Sequence, residues 1–314
     1  MTPPSSTSSA ERTRLDELVV ARGLAATRAE AARLILAGRV RLAGGVADKA
    51  GRLVRKDAPL DLVRAAPYVG RGGEKLAAAL AAFGLQVRGR VCLDVGASTG
   101  GFTDCLLQAG ACRVHAIDVG HGQLHPRLRA DRRVIVREGV NARYLAPEEL
   151  GEPVSLVTVD VSFISLTKVL AALTRCLAPA SRGVGERVEA TIVALVKPQF
   201  ELGRRLVGKG GVVRDPGLHA VAVQAVADTA RALGLSPVGV VASPLRGPKG
   251  NREFFLHLVA LGPSGAGRPE GQRVAPAPFA AAVRAAVDLA PAGPEPHRQP
   301  GASGTEGPAG EGAP

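Results

Sequence analysis

The sequence predicts an α/β protein: a doubly wound, Rossmann-like domain preceded by a small α+β domain. Three observations carry this. Near-continuous apolar runs at 91–93, 114–117, 134–136, 154–159, 190–196, 238–241 and 254–259 alternate with stretches of helical spacing, as strands buried on both faces of a sheet do. The stretch Asp94-Val95-Gly96-Ala97-Ser98-Thr99-Gly100-Gly101-Phe102-Thr103 bends the chain from the first run into a helix. Such a glycine turn leaves backbone N–H groups open to a ligand, where a Cβ would clash. Ahead of all this, residues 11 to 64 carry twelve lysines and arginines against seven acids and show their own helix signals.

Composition bounds the rest. The chain has 314 residues, 46% of them apolar but only 3% aromatic, so the core must be built from Leu, Val and Ala. A net charge of +12 implies a polyanionic partner, nucleic acid before an acidic membrane, with a solvated basic surface as the alternative. Cys92, Cys105, Cys112 and Cys176 form no C-x-x-C pair and read as reduced thiols, so no metal site is expected. The first residues lack a basic-then-apolar leader pattern, and no run reaches membrane-span length, so the expected location is the cytoplasm.

In order, residues 1–11 are Ser/Pro/Thr-rich and expected to be disordered. The small domain runs from 12 to 64. Leu15, Leu18 and Val19 predict a helix stopped at Gly23, and Thr27 with Glu30 predicts the cap of a second one carrying Ala31, Leu34 and Ile35. Val40-Arg41-Leu42 and Asp61-Leu62-Val63 predict short strands. Arg14, Arg28, Arg33, Arg39 and Arg41 are the candidate phosphate contacts. Residues 12–63 resemble the small RNA-binding domain named after small-subunit ribosomal protein four. Thr27 replaces the usual Ser, and Ala43-Gly44 the common Asn-Gly turn.

Residues 65–70 read as a linker, 71–261 as the large domain, and 262–314 as a disordered Gly/Pro/Ala-rich tail in which only Phe279 to Leu289 could form an isolated helix. The large domain opens with a helix whose stripe is Leu76, Ala79, Leu80 and Phe83. Lys75 lies beside that stripe near the helix start, where a cation opposes the helix dipole. It is either solvated or aimed at a site. Helices are expected at 103–109, 166–177 and 218–233, and residues 180–188 as a surface insertion.

The glycine spacing at 96, 100 and 101 is not G-x-G-x-x-G, and Asp94 would repel a diphosphate. Asp118, closing the next apolar run, suits ribose hydroxyls. An acid and a glycine turn without a phosphate lysine favour a nucleoside with a cationic tail, which describes S-adenosylmethionine. The candidate cofactor contacts are Asp94, Gly96, Ser98, Gly100, Gly101, Asp118 and, after the third strand, Asn141.

Asp160 and Lys197 each end a buried run, and Glu253 opens the last one, so all three fall at the sheet edge where ligands bind. A crevice holding Lys75, Asp160, Lys197 and Glu253 suits methylation of a ribose hydroxyl, a poor nucleophile until its proton is removed. A base methylase would more often show an Asn-Pro-Pro-Tyr-like edge where this chain has Asp160-Val161-Ser162-Phe163. A structural salt-bridge network is the competing reading.

Six motifs in this order resemble the TlyA family: Arg71-Gly72-Gly73-x-Lys75-Leu76, the 94–104 turn, Asp160 to Leu166, Leu195 to Glu201, Gly211-Val212-Val213, and Lys249-Gly250-Asn251-x-Glu253. The resemblance covers residues 12 to 261. It implies an S-adenosylmethionine-dependent ribosomal RNA cytidine 2′-O-methyltransferase of FtsJ-like fold, with the catalytic tetrad at Lys75, Asp160, Lys197 and Glu253. It implies ribosomal RNA of the large subunit, in some members also of the small one, as the partner. Arg71 joins the RNA candidates, as do loops at 209–211 and 246–252. Gly70 departs from a frequent Ser. A non-catalytic assembly factor is the alternative. The family's haemolysin label would require a spanning or strongly amphipathic basic helix, and the sequence has none.

Overall fold

The computed structural model describes residues 11–36, 38–63, 66–178, 181–182, 187–208, 210–260 and 276–289. They form two compact units that divide between Pro67 and Tyr68.

In the first unit, β1 (Arg12–Arg14) leads into α1 (Leu15–Ala21), followed by α2 (Arg28–Leu36), β2 (Val40–Leu42), β3 (Gly45–Val46), β4 (Leu53–Arg55) and β5 (Leu60–Leu62). Thr27 caps α2 as expected: its hydroxyl accepts from Glu30 N at 3.1 Å, while the Glu30 carboxylate accepts from Ala26 N at 2.9 Å. β2 pairs with both β3 and β5, and β1 pairs antiparallel with β4. The sequence does not reveal β1 and β4, because strands of three polar-flanked residues carry no period. Ala43 and Gly44 have φ of 49° and 81°, so the two-residue β2–β3 turn has the positive angles of a type I′ hairpin. Leu15, Val19, Ala31, Ile35 and Val40 are fully buried and hold this unit together.

The second unit begins with α3 (Gly72–Ala82) and continues through β6 (Val91–Val95), α4 (Gly101–Gln108), β7 (Arg113–Asp118), α5 (Pro126–Arg129), β8 (Val134–Glu138), α6 (Pro147–Leu150), β9 (Leu156–Val159) and α7 (Leu170–Arg175). The hairpin β10 (Ser181–Arg182) and β11 (Arg187–Val188) precedes β12 (Thr191–Val196), α8 (Pro198–Glu201), α9 (Pro216–Ala232), β13 (Leu235–Ala242), β14 (Phe254–Ala260) and α10 (Pro276–Asp288). The seven-stranded sheet has the order β13-β14-β12-β9-β6-β7-β8. β14 runs antiparallel to both neighbours, and the other pairs are parallel. The chain steps outward from β6 to β8 and then returns to β9 on the other side of β6. That reversal opens a crevice at the carboxyl ends of β6 and β9.

Three expectations are corrected here. The helix expected over 166–177 is a 3-10 turn at Leu166–Lys168 followed by α7. The helix near the end of the chain is not isolated: Phe279, Val283 and Val287 are buried in the same core as Val226, Leu235 and Phe254. Apart from Glu11 and 276–289, the expected disordered ends lie outside the described residues, as do 180 and 183–186 within the expected insertion. The linker is also shorter than expected. Val69 N donates to Asp104 at 2.9 Å, and Tyr68 packs against Gly73 so closely that a Cβ there would lie 2.2 Å from its ring.

Candidate active site

The crevice is a cavity of about 490 Å³ lined by Gly96, Ser98, Ile117, Asp118, Val119, Val140, Asn141, Asp160, Ser162, Phe163 and Ile164, among others. Gly96 sits at its floor with φ of 82°, which favours glycine. Asp118 turns one carboxylate oxygen to Ser98 N at 2.8 Å and the other to Gly120 N at 2.7 Å, which draws the two loops around one acid. Asn141 caps a 3-10 turn by accepting from Arg143 N at 3.1 Å, and that bond uses only its carbonyl oxygen. Of the seven candidate cofactor contacts, Gly96, Ser98, Asp118 and Asn141 line the cavity.

The other three do not. Asp94 is fully buried, with Thr103 and Thr158 hydroxyls donating to it at 2.6 and 3.1 Å. Burial pushes its carboxyl up to about 7, against the opposing pull of those two hydroxyls. It ties α4 and β9 to β6 rather than facing a ligand. Gly100 and Gly101 are packing positions. A Cβ on Gly100 would lie 2.2 Å from Leu128, and one on Gly101 would lie 3.0 Å from Gly73 N, where α3 and α4 begin side by side. Spacing alone cannot separate a glycine that admits a ligand from one that admits a neighbouring helix.

The four candidate catalytic residues form two ion pairs. Lys75 Nζ donates to Glu253 at 2.5 Å, and both side chains are almost wholly buried. Lys75 thus tolerates a helix start because a carboxylate, not solvent, meets its charge. Lys197 Nζ lies 2.6 Å from Asp160 as an ion pair and donates to Ser162 Oγ at 2.9 Å. Strand register brings the pairs together. Val196 faces Phe254 across the β12–β14 ladder, so Lys197 and Glu253 are the next position on each strand. Asp160 follows β9 directly and is fixed by its N–H to Val95 O at 2.9 Å. All of this lies along the one sheet edge at the crevice.

The loop after β9 adds features without a local sequence signal. Phe163 has φ of 64° and is 91% exposed, with its ring 5.2 Å from that of Phe200. The Glu201 carboxylate accepts from Ser165 Oγ at 2.5 Å and from Leu166 N at 2.9 Å, which fastens that loop to α8. Burial raises the Glu201 carboxyl. Asn251 bridges in the same manner, accepting from Val213 N at 3.0 Å and donating to Gly211 O at 2.9 Å. The sequence holds these residues inside its motifs, but their partners lie 35 to 40 positions away.

The arginine candidates divide. Arg14 makes a two-pronged contact with Asp16, and Arg28 reaches Asp16 and Glu17. Arg39 donates to Val63 O at 3.1 Å. Arg33 and Arg41 are exposed and make no ion pair among the described residues. Arg71, exposed, lies 3.5 Å from Arg246 O. Of the loop at 209–211, Lys209 falls outside the described residues.

The sequence profile of FtsJ-like methyltransferases matches residues 68–260. The chain belongs to the FtsJ-like methyltransferase family. In front of that methyltransferase region, residues 13–59 match the S4 domain. The chain is 53% identical over 251 residues to a Mycobacterium tuberculosis protein named 16S/23S rRNA (cytidine-2′-O)-methyltransferase TlyA, covering 79% of this chain and 90% of the relative. It is 39% identical to Hemolysin A of Brachyspira hyodysenteriae, covering 78% of this chain and 99% of that one. A solved structure of a hemolysin candidate from Streptococcus thermophilus superposes with a TM-score of 0.63 at 38% identity, covering 89% of this chain and 97% of that chain. The resemblance to TlyA and the FtsJ-like α/β fold are therefore borne out. No helix among the described residues is long and apolar enough to cross a membrane.

Proposed function

We propose that this methyltransferase transfers a methyl group from S-adenosylmethionine to the 2′-hydroxyl of a cytidine in ribosomal RNA. The observation that carries the reading is the register of the two ion pairs, Lys197–Asp160 and Lys75–Glu253, along one sheet edge beside the cavity. The cavity suits the cofactor: apolar walls for a base, Asp118 and Asn141 as polar contacts, and Gly96 where a side chain would obstruct. Bound there, S-adenosylmethionine supplies an electrophilic methyl, whose bond to sulfur breaks with the electron pair left on sulfur as the ribose oxygen takes the methyl.

Lys197 is the group that accepts the hydroxyl proton, and Asp160 holds it in place and balances the charge it gains. Lys75, anchored by Glu253, supplies a second cation that orients the ribose oxygen. The site's other contribution would be to hold the ribose oxygen in line with the methyl it receives. Phe163, exposed at the rim, offers a face on which an unstacked base can rest. The basic S4 unit, through Arg33 and Arg41, supplies a salt-dependent hold on phosphate. The cytidine and ribosomal RNA specificity rests on the likeness to the M. tuberculosis relative.

Mass spectrometry of ribosomal RNA from cells with and without the gene tests this reading. The expected result is loss of a 2′-O-methylcytidine, with no restoration by Lys197→Ala although that variant still binds S-adenosylmethionine. Full methylation by Lys197→Ala would show that another group is the base.

A further inference from the structure

Lys197 has two partners, and only one of them is a carboxylate. Its Nζ lies 2.6 Å from Asp160 Oδ1 and 2.9 Å from Ser162 Oγ. The lysine is nine-tenths buried, so few other groups compete for its nitrogen. Both partners belong to the short loop after β9 and line the cavity.

An sp³ amine has three directions besides its bond to carbon. When Lys197 is neutral, two of them carry N–H and the third carries the lone pair. Ser162 Oγ takes one N–H in a hydrogen bond, while the Asp160 carboxylate, an ion-pair neighbour outside hydrogen-bond geometry, draws the other N–H toward it by charge and repels the lone pair. The lone pair is left in the one remaining direction. With Asp160 alone, the amine could rotate about its last carbon–nitrogen bond and present the lone pair elsewhere.

The loop is built to keep Ser162 in place. Phe163 takes φ of 64° directly after it, a conformation that costs a bulky residue energy and persists only where its surroundings enforce it. Three residues on, Ser165 Oγ and Leu166 N are held by Glu201, on the same α8 turn that follows Lys197. Serine and lysine are thereby referenced to each other twice, once directly and once through Glu201.

We propose that Ser162 is a positioning residue for methyl transfer, whose hydroxyl holds Lys197 so that the amine's lone pair has a single orientation. This rests on the reading of Lys197 as the base.

The test compares full-length wild type, Ser162→Ala, Ser162→Thr and Lys197→Ala in methyl transfer to unmodified ribosomal subunits across about pH 6 to 10, with S-adenosylmethionine affinity measured by calorimetry. Ser162→Ala is expected to lower kcat by about 10- to 100-fold with cofactor affinity unchanged. Its rate limb on the acid side should move to lower pH, because the hydroxyl accepts more strongly from the ammonium than from the amine and its loss makes deprotonation easier. Ser162→Thr, at an exposed position with room for a methyl group, should restore most of the rate. Wild-type kcat in Ser162→Ala, an unmoved limb, a parallel loss of cofactor affinity, or failure of Ser162→Thr to rescue would each overturn the proposal. Activity in Lys197→Ala would instead overturn the assignment of the base.

Discussion

Gly96 and Asp160 meet where the sheet reverses direction: a Cβ placed on Gly96 would lie 2.6 Å from the Asp160 carbonyl oxygen. The glycine follows β6 and the aspartate follows β9, so one backbone contact sets the floor of the cavity and the position of Asp160 together.

Gly96→Ala should therefore impair both. The left-handed backbone at φ of 82° alone costs an L-residue about 1–2 kcal/mol, and the contact with Asp160 must also open. Calorimetry should show weakened S-adenosylmethionine binding, and thermal unfolding a lower midpoint. Wild-type affinity in this variant would mean the two loops are not tightly coupled.

The Lys75–Glu253 pair separates stability from catalysis. Lys75→Met strands a buried carboxylate and should cost about 3–5 kcal/mol, while Lys75→Met combined with Glu253→Leu should recover most of that loss. Urea unfolding checks the stability, and methylation assays should find both variants inactive. An active double variant would remove Lys75 and Glu253 from the chemistry.

Asp94 predicts a pH dependence of stability. Its folded-state carboxyl, near 7, binds a proton more tightly than the same group in the unfolded chain, near 3.8. Between those values the folded state holds the extra proton, so this group's contribution to stability falls as pH rises and levels off above about 7. Asp94→Asn should flatten that decline while keeping bonds to Thr103 and Thr158. Urea midpoints measured for both proteins through this window test it; parallel profiles would contradict the assignment.

Helix α10 is part of the core. Phe279→Ala should destabilise the methyltransferase unit by about 3–5 kcal/mol, since the ring is fully buried and the Arg231 guanidinium lies 5.1 Å from its centre. A thermal midpoint within about 1 °C of wild type would mean the helix contributes little.

Much of the site was legible because the chain writes it at strand ends. Asp118, Asp160 and Lys197 each close an apolar run and Glu253 opens one, and a parallel sheet brings such ends to one edge without further information. Lys75 was legible as an oddity, a cation at a helix start, but its partner lies 178 residues away and no local pattern names it. Asp94, Gly100 and Gly101 fall outside the cavity lining for the same reason in reverse. Their motif marks a turn, while the decision between ligand and neighbour belongs to Thr158, Leu128 and Gly73.

By itself the sequence determined two units, the alternation that makes a doubly wound sheet, the basic character of the small unit, and the residue types of the two ion pairs. Tertiary structure alone decided which lysine pairs with which carboxylate, that Ser162 and Glu201 hold the loop beside them, and that α10 packs into the core. The physical reason is range. Periodicity and turn chemistry act over a few residues and are written locally, whereas ion pairing and close packing depend on which distant strand ends the sheet order makes neighbours.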